Sequence, residues 1–241
     1  MTSQRKQFIQ HFEDGAAAYR ARNLATSEQS YKAALTIYPN HALLCSNYGV
    51  LLCDMGELQK AIQFLRRAIE LDPSESSYCV NLGTVYNKME MPQPAIDCYE
   101  RALKLKPVDA LCYNNLADAL TKAGRHDEAV ICAAYATMLQ PGWAEAHINI
   151  GMAHWAAGRF AEAEKQMRRA VELKSESALA HENLGLLLLF QGKYAEAWSE
   201  NDWRCGVRLP AATAFCDTTR QVPQLARLPA AYAAAQLGPL P

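Results

Sequence analysis

The sequence predicts an all-α solenoid of stacked antiparallel helix pairs, and three regularities predict it. Prolines stand at 39, 73, 107 and 141, thirty-four residues apart each time, and Ser175 takes the next place in the series. Small residues recur at two fixed places in that register. Glycine recurs at a third. A chain that repeats itself at such a period stacks one supersecondary unit on the next, because a single unit cannot bury its own apolar face.

Counting back from the prolines gives units 8–41, 42–75, 76–109, 110–143 and 144–177, with a sixth over 178–204. Residues 1–7 read as a lead-in and 205–241, rich in alanine and proline, as a poorly ordered tail. The eighth place of each unit holds Gly15, Gly49, Gly83, Ala117, Gly151 and Gly185. The twentieth holds Ser27, Ala61, Ala95, Ala129, Ala163 and Ala197. Small side chains at both places let the two helices of a unit approach closely. Large apolar residues such as Leu52, Leu65, Leu82, Tyr99, Leu116 and Met167 fill the space between. Gly56, Gly124, Gly158 and Gly192 fall at place fifteen, where the first helix must end before the second begins. The proline closes the second helix, since it cannot continue the hydrogen-bond ladder.

These places, together with alanine at twenty-seven (Ala34, Ala68, Ala102, Ala136, Ala170), resemble the tetratricopeptide repeat family over residues 8–204. The resemblance implies a right-handed superhelix of 34-residue helix pairs, with a concave groove that holds a protein or peptide partner. The first unit departs from the pattern, with Asp14 at place seven and Ser27 at place twenty, as suits a terminal capping repeat.

At about 100° per residue, places four, eight and eleven of the first helix share one seam, and place six lies about 160° from place eight. In the family that side of the helix lines the groove. Place six is Asn47, Asn81, Asn115, Asn149 and Asn183 in five consecutive units, and Glu13 in the first. An amide offers donors and an acceptor, so a column of them can pair with a peptide backbone whatever its side chains. The column is similar to the asparagine ladder of O-linked N-acetylglucosamine transferases. Asn87, Asp118, Thr121, Lys122 and Trp155 complete the expected peptide-binding set. Asparagine at place six also suits bonding between neighbouring repeats, a structural use. At roughly 0.5–1.5 kcal/mol per net hydrogen bond, five amides barely exceed the ordering cost of a flexible peptide, so binding is expected to be weak and multivalent. Repeats that clamp a chaperone's C-terminal carboxylate carry basic residues at places two, five and six. Here place six is never basic, and place two holds Leu43, Ser77, Leu111, Glu145 and Leu179.

Residues 181–204 contain Gly192-Lys-Tyr-Ala-Glu-Ala-Trp198 and then Asn-Asp-Trp203-Arg204. This resembles a signature that joins bacterial repeats to a glycosyltransferase-like domain, with Ala197 in place of its glycine. It supports an alternative reading: the substrate-recognition region of an O-linked glycosyltransferase-like enzyme lacking its catalytic domain. Trp198 and Trp203 would also serve simply to cover the last repeat's apolar edge.

Lys and Arg total 24 against 25 Asp and Glu, a formal net charge of −1, which argues against nucleic acid as partner. No apolar run approaches the roughly 20 residues of a membrane span, and no secretory signal is visible, so a cytoplasmic protein is expected. The eight cysteines lack a C-x-x-C pair and read as reduced, small hydrophobes. No phosphate-binding glycine loop or H-E-x-x-H occurs. His147 and His181 hold the same place in adjacent units, with His154 two turns on from His147, but no third metal ligand is clearly placed. The expectation is a non-catalytic interaction scaffold without cofactor, with weak self-association through its open ends as a further expectation.

Overall fold

The computed structural model describes residues 3–205, with side chains to residue 200. Twelve α-helices and no strand are found there, in six pairs: α1 (Ser3–Arg20) and α2 (Leu24–Ile37), α3 (Ala42–Asp54) and α4 (Leu58–Leu71), α5 (Ser76–Lys88) and α6 (Pro92–Leu105), α7 (Ala110–Lys122) and α8 (His126–Leu139), α9 (Ala144–Ala156) and α10 (Phe160–Leu173), α11 (Ala178–Phe190) and α12 (Tyr194–Cys205). The two helices of a pair pack most closely on each other, and each pair leans on the next. The chain is a solenoid. α1 starts at Ser3, so residues 3–7, read as a lead-in, are its first turns. The tail from 206 onward lies outside the described residues.

Every first helix ends in the same way. Place fifteen adopts the left-handed conformation: Gly56 (φ +82°), Gly124, Gly158 and Gly192, but also Arg22 (φ +59°) and Glu90 (φ +56°). The next amide then reaches back into the helix, as in Glu57 N–H to the Leu52 carbonyl at 2.8 Å and Met91 N–H to Tyr86 at 3.0 Å. That bond satisfies a carbonyl the helix end would leave orphaned. Second helices end at Tyr38, Asp72, Lys106 and Gln140, each one residue before a proline. The proline's ring disfavours helical torsions in the residue preceding it.

Within pairs, the small residues do what their size allows. A β-carbon on Gly49 would stand 3.3 Å from the Ala61 carbonyl, and one on Gly151 would stand 3.2 Å from that of Ala163. In the first pair Ser27 donates its hydroxyl to the Gly15 carbonyl at 2.8 Å, so place twenty there is polar yet satisfied. One apolar cluster runs through α1 to α8 and reaches α9 at Ala153, a small cluster of Ala117, Ala133 and Ile150 joins α7, α8 and α9, and two further clusters serve the last two pairs.

Candidate functional site: the groove of the first helices

Successive first helices touch one another: α1 with α3, α3 with α5, α5 with α7, α7 with α9, and α9 with α11. No comparable contact joins successive second helices among the described residues. The first helices therefore lie on the inner, shorter side of the curve, and the faces they turn away from α2, α4 and their successors line the concave surface.

Asn47, Asn81, Asn115, Asn149 and Asn183 are all half-buried, neither in the packed seam nor fully in solvent. Where their donors go depends on place five of the preceding pair. Asn81 Nδ2 donates to Ser46 Oγ at 3.1 Å. Asn149 Nδ2 donates to Asn114 Oδ1 at 2.9 Å and to the Asn114 carbonyl at 3.2 Å. Ser46 and Asn114 are polar; Phe12, Val80 and Ile148 at the equivalent place are not. Asn183, which follows Ile148, turns its Nδ2 to its own helix at the Leu179 carbonyl, 2.8 Å away. Asn47, which follows Phe12, lies against the Tyr31 hydroxyl; burial pushes that hydroxyl up and the amide acts in the opposite sense. Asn115, which follows Val80, has no side-chain hydrogen bond among the described residues. The bonding between neighbouring repeats foreseen for the column is present at Asn81 and Asn149. Some amide donors tie repeats together, and the carbonyl oxygens of Asn81, Asn149 and Asn183 are not spent on those ties.

Three of the flanking residues named from the sequence converge. Asn87 Nδ2 donates to Asp118 Oδ2 at 2.7 Å, and Lys122 Nζ reaches Asp118 at 2.9 Å and Asn87 Oδ1 at 3.1 Å. A similar tie runs one pair earlier. The Tyr19 hydroxyl donates to Asp54 at 2.5 Å and Lys88 Nζ reaches the other oxygen at 3.2 Å, linking α1, α3 and α5. Burial raises the Asp54 carboxyl, but Tyr19 and Lys88 outweigh it and hold the group below its usual range. Burial and Asp54 push the Tyr19 hydroxyl up to about 12. Thr121 and Trp155 do not join these ties. Thr121 donates to the Ala117 carbonyl of its own helix at 2.9 Å, and Trp155 is buried, with its ring 6.1 Å from Phe190.

Sequence reasoning used place two only to set aside a carboxylate clamp. In the structure Leu43, Leu111 and Leu179 are exposed there, within about 40° of the asparagine of the same helix. On α11 they are joined by Leu186 and Phe190, also exposed. The groove so changes character along its length. At the places held by Asp118 and Lys122 in α7, α11 carries Leu186 and Phe190. The recurrence of leucine at place two was the available signal.

His147 and His181 each bond to the second helix of their own pair. His147 Nδ1 pairs with Gln166 Oε1 at 2.9 Å; His181 Nδ1 pairs with Glu200 at 2.5 Å and its Nε2 with the Ser175 carbonyl at 2.9 Å. Burial followed by the charge of Arg159 lowers the His154 ring. No group of three or more metal-type ligands gathers among the described residues. Six described cysteines are free thiols. Burial pushes Cys98 and Cys132 up to about 11 and Cys112 to about 12, the reverse of what a nucleophile needs. Cys98 also lines a cavity of about 380 Å³ between α4 and α6, in which Arg66 donates to the Tyr86 hydroxyl at 2.7 Å. No described helix is long and apolar enough to cross a membrane. Of the C-terminal signature, Trp198 is exposed on α12, while the side chains of Trp203 and Arg204 lie outside the described residues.

Two family models, each described as tetratricopeptide repeat, match residues 12–140 and 148–200. No curated protein matches the chain. Among solved structures, MamA protein is similar at a TM-score of 0.61 and 25% identity, over 72% of this chain and 94% of MamA. YrrB, described as a TPR protein with an unusual peptide-binding site, is similar at 0.55 and 25% identity, over 74% of this chain and 92% of its own. Cut9–Hcn1 of the APC/C reaches 0.72 at 16% identity, over 83% of this chain and 39% of its own, and shows the shared fold alone. The model matched over residues 12–140 spans more than half of the chain, which belongs to the tetratricopeptide repeat family.

Proposed function

We propose that this chain is a non-catalytic interaction scaffold that holds an extended peptide segment of a partner protein along its concave groove, through the asparagine column. The observation that carries the reading is the column itself. Five half-buried amides recur every thirty-fourth residue on the inner side of the curve, with carbonyl oxygens at Asn81, Asn149 and Asn183 left to accept backbone N–H groups. Ties to Ser46 and Asn114 hold two of those amides in place, which lowers the entropy cost of using them. Exposed leucines beside the amides offer apolar rests for a strand's alternate side chains. YrrB, a solved relative described by its peptide-binding site, supports the class of ligand. Because each net hydrogen bond contributes roughly 0.5–1.5 kcal/mol, affinity is weak per contact and rises with the length engaged.

The test pans a random displayed peptide library on the full chain and measures the selected peptides by fluorescence anisotropy. Asn115→Ala, which removes an amide with no side-chain hydrogen bond among the described residues, is expected to weaken binding several-fold and leave the melting temperature unchanged. Asn149→Ala is expected to weaken binding and also to lower stability by roughly 1 kcal/mol, because Asn114 loses its donor. Peptides that bind both variants as they bind the parent chain would remove the column from the binding site.

A further inference from the structure

The second helices bury places twenty, twenty-four and twenty-seven and turn twenty-two, twenty-six and twenty-nine outward, at roughly the opposite azimuth. On α8 the inward set is Ala129, Ala133 and Ala136, none with exposed surface. The outward set differs in kind from one pair to the next. α4 presents Gln63, Arg67 and Glu70 there, and α10 presents Lys165, Arg169 and Glu172, as a solvated face should. α8 presents Ile131, Tyr135 and Met138, exposed by 57, 48 and 73%. Spacing of i, i+4 and i+7 places them on one ridge of a single helix. Tyr135 is also held ready: its ring stacks on Tyr113 with centroids 5.4 Å apart and planes 22° from parallel.

The charges beside this ridge lean one way. On α6, Arg101 and Lys104 occupy two of the equivalent outward places, and neither forms an ion pair among the described residues. Lys165 on α10 is likewise without one. The acids there do not outweigh them: Asp97 keeps its charge while accepting from the neutral amide of Gln93 at 2.9 Å, Glu172 pairs with Arg169 at 2.9 Å, and two cations against one acid leave each outward row a formal charge of +1. Asp127, one turn before Ile131, is held by Arg159 at 2.6 Å. Glu100 sits off this row, close enough to act on the Cys132 thiol. An apolar ridge between two rows of net positive charge is complementary to a helix with an apolar stripe and acidic flanks, packed ridge against groove.

We propose that Ile131, Tyr135 and Met138 form a second docking surface, on the convex side, for an acidic amphipathic helix of a partner protein. It is independent of the groove. A scaffold with both surfaces would engage one partner as an extended strand and another, or a second part of the same one, as a helix.

The probes are two fluorescein-labelled model helices of about 18 residues, about five turns. They share one leucine stripe and differ only in carrying glutamate or lysine beside it. Anisotropy titrations with the full chain are expected to give at least about tenfold tighter binding of the glutamate helix. The chain carrying Ile131→Gln, Tyr135→Arg and Met138→Glu, the residues α4 holds at these places, is expected to lose that binding. Since Tyr135→Arg also forfeits the stack on Tyr113, the Ile131→Gln, Met138→Glu double variant is measured beside it, with melting followed by circular dichroism. Equal affinity for the two helices, undiminished binding to the double variant, or no binding of the glutamate helix would each overturn the proposal. So would a dimer of this chain, seen by light scattering, that the double variant dissolves and the glutamate helix does not displace: the occupant would then be a second copy.

Discussion

Places eight and twenty-four behave as one volume shared between two residues. Gly49 faces Leu65, Gly83 faces Tyr99 and Gly151 faces Met167, each close enough that a β-carbon on the glycine would overlap the partner. In the fourth pair Ala117 replaces the glycine, and the partner shrinks to Ala133, both fully buried in one cluster. Volume is conserved though the residues are not, as close-packed interiors demand. Glycine at place fifteen serves another purpose, since a β-carbon there meets nothing within 4 Å on Gly56 or Gly124 and the positive φ alone makes the case. The two mechanisms make opposite predictions at neighbouring sites. Gly83→Ala puts a carbon 2.6 Å from the ring of Tyr99, which has no exposed surface to move into, and should cost roughly 1–3 kcal/mol. Glu90→Gly relieves a non-glycine residue held at φ +56° and should stabilise by roughly 1 kcal/mol. Urea midpoints of the two variants check both, and a neutral Gly83→Ala would mean the seam has slack that the geometry denies it.

Between elements, a few polar ties stitch the first helices in addition to the apolar packing they share. Tyr19, Asp54 and Lys88 join three of them. The Asp54 carboxyl is held below its usual range, so its tie contributes stability above the unfolded carboxyl pKa of about 4, lost as pH falls through the depressed folded value. Because Lys88 is half exposed, the contribution is about 1 kcal/mol or less. Asp54→Asn should therefore lower the melting temperature at pH 7, and the gap from the parent chain should close as pH is taken below about 4. A gap that stays constant with pH would assign the effect to packing instead. How far such features were legible varies with how they repeat. The helix pairs, their glycine turns and their proline ends recur at fixed places, and were readable. The start of α1 at Ser3 was not, because no marker precedes it. The partners of the amides were also hidden, because place five alternates between Ser46 or Asn114 and apolar Phe12, Val80 or Ile148. The ridge on α8 could have been found by comparing outward places across repeats, but a search for the shared pattern passes over the one helix that departs from it.

On the scale of the whole molecule, a solenoid's stability is a sum over units and their interfaces, so it need not fail all at once. The main apolar cluster runs through α1 to α8, reaches α9 only at Ala153, and is built on large side chains such as Leu65, Ile96 and Tyr99. Beyond it the last pairs rely on separate, smaller clusters. The joint between them is α8, whose inward places carry only alanines, so little apolar area is removed from water there. Trp198 on α12 occupies the place that Ile62 and Ile96 hold in earlier pairs, and where those two are buried it is exposed. Residues past α8 should therefore open at lower urea than those before it. All four tryptophans, at 143, 155, 198 and 203, lie past α8, so their fluorescence reports that half while far-ultraviolet circular dichroism reports every helix. The expected result is a fluorescence midpoint below the dichroism midpoint, with hydrogen exchange faster in α9–α12 than in α3–α6. Coincident transitions would mean the alanine-lined joint transmits cooperativity as well as the leucine-lined ones do, and that the solenoid folds as a single unit.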